Sequence, residues 1–152
     1  MTREWARADA IAESIPPGPA RLAVMVFCNG DWLLERDREM IKMLLESSAI
    51  RHLADWVAEQ NAERTLRYLR TSLPDLIGPD PHVVVAMWVG AGRGSVEASV
   101  RSDGSRDQRS YAKALLRWNL RGLRVAEAQI AAAIQTAERV IAATTTNNIA
   151  PP

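Results

Sequence analysis

The chain has 152 residues, 47% of them hydrophobic and 24% charged, with a net charge of +1. That balance fits one globular domain long enough to bury a core. The single cysteine, Cys28, excludes an intramolecular disulfide and an all-cysteine zinc site. No apolar run approaches the ~20 residues that span a bilayer, and Thr2-Arg3-Glu4-Trp5 lacks the apolar region of a signal peptide. The expected setting is therefore the cytoplasm, away from membranes.

Residues 2–14 predict a short amphipathic helix, with Thr2 as N-cap and Trp5, Ala8, Ala12 and Ile15 on one face. Pro16-Pro17-Gly18-Pro19 stops it. The apolar run Arg21 to Cys28 fits either a buried strand or a buried helix. Pro19 near its start and Asn29-Gly30 after its end favour the helix, which makes Cys28 a buried, inert thiol.

Asp31 to Ser47 predicts a helix with Leu34, Ile41, Leu44 and Leu45 inward and mixed charges outward. Ser47 or Ser48 caps a further helix over 49–72. Its core side includes Leu53, Val57, Leu66, Leu69 and Leu73, and Pro74 ends it. Its last turns gather Arg64, Arg67 and Arg70 around Tyr68. An aromatic within a basic cluster suits stacking on single-stranded nucleic acid, and it equally suits a boundary tyrosine among solvated arginines.

The run His82 to Val89 again fits two states. Its valines suggest a strand, and Val96, Ala98 and Val100 would return as a hairpin spanning 83–100. Asp80 as N-cap and Pro81 at the first helical position favour helix. The following Gly90-Ala-Gly-Arg-Gly-Ser95 fails both glycine-rich nucleotide templates: Ser95 stands where the dinucleotide fingerprint needs glycine, and no lysine completes a P-loop. It reads as an ordinary turn whose backbone N–H groups and Arg93 still offer contacts to phosphate.

Ser105 with Gln108 forms a capping-box pattern, and from there one long helix is predicted to run to Thr144. Leu116, Leu120, Leu123, Ile130, Ile134, Ala137 and Ile141 follow a heptad register broken by Glu127. Tyr111, Leu115, Trp118, Gly122 and Val125 widen the apolar face of its first half. A helix of that length reaches about 55–60 Å, so its alanine-rich second half is expected to pack on another subunit. Its first half carries Arg106, Arg109, Lys113, Arg117, Arg121 and Arg124, within an arc of about 120°. No acid lies between Asp107 and Glu127 to pair with them.

The charge is asymmetric along the chain: 11 basic and 14 acidic residues over 1–100, 8 and 4 over 101–152. Only Lys42 and Lys113 are lysines, and guanidinium binds phosphate in a planar, bidentate way. Two isolated histidines, His52 and His82, and carboxylates interleaved with arginines give no metal-ligand spacing and no convincing active site. No catalytic residue, metal or cofactor is expected. Trp5, Trp32, Trp56 and Trp118 are expected as core or interface anchors, able to stack on a base only if exposed.

These elements predict a mainly α, compact bundle of five to six helices with a long C-terminal helix, forming one domain over 1–143 and a flexible tail over 144–152. The stripe from Arg106 to Arg124, backed by Arg64, Arg67, Arg70, Tyr68 and Arg93, points to a non-catalytic subunit. It would bind RNA or single-stranded DNA through the backbone beside other protein subunits, including copies of itself. In size, helical character and this arginine-lined surface, the chain resembles the small helical subunits of CRISPR ribonucleoprotein effectors. That resemblance implies an antiviral-defence assembly in which such subunits stack beside the backbone subunits and support the guide–target duplex or the displaced strand. It covers architecture alone and carries over no individual residue. The competing expectation is a protein-only module, of phage, secretion or regulatory type, oligomerising through the heptad Leu116–Ile141.

Overall fold

A helix that is apolar all round has to lie in the middle of its neighbours, and Leu22 to Phe27 are six consecutive buried residues. They belong to α2 (Pro19–Glu35) in a computed structural model that describes residues 2–35, 51–101 and 108–147. The other helices are α1 (Thr2–Glu13), α3 (Arg51–Ser72), α4 (Pro81–Arg101), α5 (Gln108–Gly122) and α6 (Glu127–Asn147). α6 lies along α2 more extensively than any other pair packs, while α1, α5 and α3 cover its remaining sides. α4 sits outside, against α3 and α5. The described residues form a mainly α bundle without strands, and none of their helices is long and apolar enough to cross a membrane.

Local chemistry sets the starts. The Gly18 carbonyl accepts the first amide bonds of α2, from Arg21 and Leu22, and Pro19 occupies the first helical position. Gly18 adopts φ 147°, which a side chain would resist. The Arg21 Nε donates to the Ile15 carbonyl at 2.7 Å and ties the corner to the end of α1. At α4, the Val83 amide donates to Asp80 Oδ1 at 3.3 Å, the expected N-cap bond. Val85 and Trp88 are then buried three residues apart, a helical spacing that overrides the β-propensity of the valines.

Four expectations are corrected. α2 does not stop at Asn29-Gly30 but runs on to Glu35, since an interior glycine costs a helix only ~1 kcal/mol. The rest of the helix expected over 31–47 lies outside the described residues. The alternative hairpin over 83–100 is absent, and Gly90, Gly92 and Gly94 lie inside α4 instead of in a turn or phosphate-binding loop. The long C-terminal helix is two helices: α5 ends at Gly122 and α6 begins at Glu127. Finally, α6 packs on α2 of the same chain. It also continues to Asn147, into the stretch expected as tail.

The break between α5 and α6 has a specific geometry. The Val125 amide donates to the Leu120 carbonyl at 3.0 Å and the Arg124 amide to the Arg121 carbonyl at 2.8 Å, with Arg124 at φ 61°. This is a Schellman cap with arginine at the left-handed position usually held by glycine. Val125 and Leu120 are both buried, supplying the apolar contact that accompanies such caps.

Two stability outcomes follow, both read from urea unfolding midpoints. A Cβ at Gly90 or Gly94 meets nothing within 4 Å, so Gly90→Ala and Gly94→Ala are each expected to stabilise by about 0.5–1 kcal/mol. Arg124→Gly is expected to stabilise by a similar ~0.5–1 kcal/mol by relieving the left-handed strain. A destabilised Arg124→Gly protein would contradict the cap geometry.

Candidate nucleic-acid interface

The structure sorts the predicted cations into two groups with different environments. The first surrounds Asp9 on α1. Arg64 is buried, at 7% exposure, and pairs with Asp9 Oδ1. Arg67 donates from Nη2 to Oδ2 at 2.6 Å, and the Tyr68 hydroxyl donates to Oδ1 at 2.9 Å. The spacing 64, 67, 68 puts all three on one face of α3, which meets α1 at this carboxylate. Arg64 also lies over the rings of Trp5 and Tyr68, at 6.0 and 5.6 Å from their centroids.

Tyr68 is 2% exposed and unavailable for stacking on a base. Burial and then the Asp9 hydrogen bond push its hydroxyl up to about 12. For Asp9, burial works to raise the pKa, but the hydrogen bond and charge of Arg64, with Tyr68 and Arg67, outweigh it and hold the carboxyl below its ordinary value. Arg64, Arg67 and Tyr68 therefore fasten α1 to α3. The fourth member, Arg70, is exposed and stands apart from this network.

The second group lies along α5 and its cap. Lys113 is half-buried and pairs with Glu138 of α6 at 2.5 Å. Arg121 is held by Glu127, with Nη2 to Oε2 at 3.0 Å, in a pair exposed on both sides. That hydrogen bond, with a further contribution from Arg117, keeps the Glu127 carboxyl below its ordinary value. The acids missing from the local sequence are thus delivered by the chain reversal after Gly122. Arg117 and Arg124 are exposed, and neither guanidinium bonds to a described residue. Arg109 lies in the first turn of α5, Arg106 falls outside the described residues, and Arg93 is exposed on α4.

What remains as a cationic surface is the end of α5: Arg117, Arg121 and Arg124, with Glu127 among them. An exposed pair such as Arg121–Glu127 is weak and screened by salt, so Arg121 is able to exchange its partner for a phosphate. Cys28 is half-buried instead of fully buried, and His52 and His82 are both exposed. The heptad residues Leu116, Leu120, Leu123, Ile130, Ile134 and Ala137 are buried within this chain, so an oligomer would have to use another surface.

Sequence reasoning also missed the position of Trp118. Expected on the apolar flank, it is 56% exposed on the cationic side of α5. The signal was present in the register: Leu116, Leu120 and Leu123 define the buried face, and Trp118 falls nearly opposite their mean direction.

Comparison with protein families, curated proteins and solved structures gives no match for the chain.

The Asp9 cluster makes stability pH-dependent with a definite sign. A carboxyl whose folded pKa is depressed contributes stability above its unfolded pKa of 3.8 and loses it as pH falls through the folded value. Asp9→Asn is expected to cost about 2–3 kcal/mol at pH 7, since it leaves Arg64 buried without its counter-charge. In denaturant melts the gap between variant and wild type should narrow from pH 5 to pH 3. A constant gap across that range would detach the effect from the Asp9 charge.

Proposed function

We propose that this chain is a non-catalytic helical subunit that holds the backbone of RNA or single-stranded DNA along the exposed end of α5. Its setting is a ribonucleoprotein assembly of the kind the CRISPR resemblance implies. The observation that supports this reading most is the arrangement of Arg117, Arg121 and Arg124: two exposed guanidiniums without a described partner, and a third in an exchangeable surface pair. Guanidiniums present paired N–H donors that match phosphate oxygens. They stand at the end of a helix anchored on the core by Leu116, Leu120 and Leu123, so the cationic surface is carried on a rigid support. Such contacts neutralise phosphates without reading base edges, which makes affinity salt-dependent and largely independent of sequence.

The experiment is binding of labelled single strands over a salt series. Charge reversal at Arg117 and Arg121 should weaken binding and flatten the log–log salt slope by roughly 0.7 per lost single-strand phosphate contact. Glu127→Gln should act in the opposite direction, tightening binding several-fold by releasing Arg121. Affinity and slope unchanged by the double reversal would remove this surface from the function.

A further inference from the structure

Trp118 has surroundings unlike those of the other aromatic residues near arginines. Trp5 and Tyr68 are covered by the guanidinium of Arg64, and Tyr68 also by that of Arg67 at 5.3 Å. The Trp118 ring is exposed, and no hydrogen bond, ring contact or cation–π contact joins it to any described residue. One turn before it stands Ala114 and one turn after it Gly122, both exposed. These small neighbours leave the flat of an indole unobstructed along the helix. Around the helix, Arg121 is about 60° away and Arg117 about 100° away, on the same side.

We infer that Trp118 is a base-stacking platform, so that the strand held at this surface presents unpaired bases. The inference rests on the proposed backbone-binding function and names the ligand more closely. A large planar π-face beside guanidiniums matches the two halves of a nucleotide, a flat base and an anionic phosphate. In a duplex each base is already stacked on its neighbours and closed to an indole lying on the protein surface. Among the described residues of α5, Trp118 is the one large hydrophobic side chain that is exposed, with Leu115 beside it half-buried, so a protein partner would find a single ring in place of the continuous apolar patch that such docking uses.

The test compares wild type with Trp118→Ala, Trp118→Leu and Trp118→Phe, using labelled oligouridine and an RNA duplex of equal phosphate number. Trp118→Ala and Trp118→Leu should weaken oligouridine binding by about five- to a hundredfold. Trp118→Phe should stay within a few-fold of wild type. Duplex affinity and the salt slope should not change in any of them. Saturating oligouridine should also quench tryptophan emission in wild type more than in Trp118→Phe, a readout independent of whether the smaller variants fold. Oligouridine binding that is salt-dependent yet indifferent to all three substitutions overturns stacking and leaves backbone holding intact. Wild type that binds neither nucleic acid overturns both. Trp118 substitutions that change only the oligomeric state in light scattering reassign the ring to a protein contact and overturn the inference.

Discussion

The six consecutive buried residues from Leu22 to Phe27 impose the constraint from which the architecture follows. No single partner can cover all sides of a helix, so α2 needs neighbours around its circumference, and α1, α3, α5 and α6 provide them. Each covering helix can then be amphipathic, with one side on α2 and the other facing outward. That division creates the outer faces on which the charged residues are distributed.

Burial then decides what each arginine does. Arg64 and Arg117 have the same side chain and both stand on regular helices. Arg64 meets a carboxylate across the α1–α3 boundary and becomes part of the frame. Arg117 faces outward, and its guanidinium bonds to no described residue. A desolvated guanidinium is fixed by its counter-charge because separating them is costly, whereas an exposed one remains able to engage a ligand. The Asp9 cluster and the end of α5 are chemically similar lists of residues with opposite availability.

The cap at Arg124 links the two parts of the molecule. By reversing the chain after Gly122 it folds the heptad of Leu116 to Ile141 back onto α2, converting an apparent intermolecular seam into core. The same reversal brings Glu127 onto Arg121 and Glu138 onto Lys113. It leaves a non-glycine residue in a left-handed conformation at the margin of the cationic surface. Strain of this kind is most often tolerated where a side chain is useful, and here the side chain retained is an arginine.

The sequence by itself determined the helical class, the helix-start signals at Pro19 and Asp80-Pro81, and the inward positions of Ala8, Ala12, Leu69, Leu73 and the C-terminal heptad. Those features depend on periodicity and on backbone groups within a few residues of each other. It did not determine where the C-terminal helix breaks, because Arg124 replaces the glycine that would have signalled the cap, while Gly122 and the glycines of α4 sit in helices. Nor did it distinguish frame from surface among the arginines. Asp9 lies 55 residues from Arg64, and only the docking of α1 and α3 on α2 brings their charges together. Local spacing records which side chains share a helix face; which of those faces is buried is settled by the helices that come to cover it.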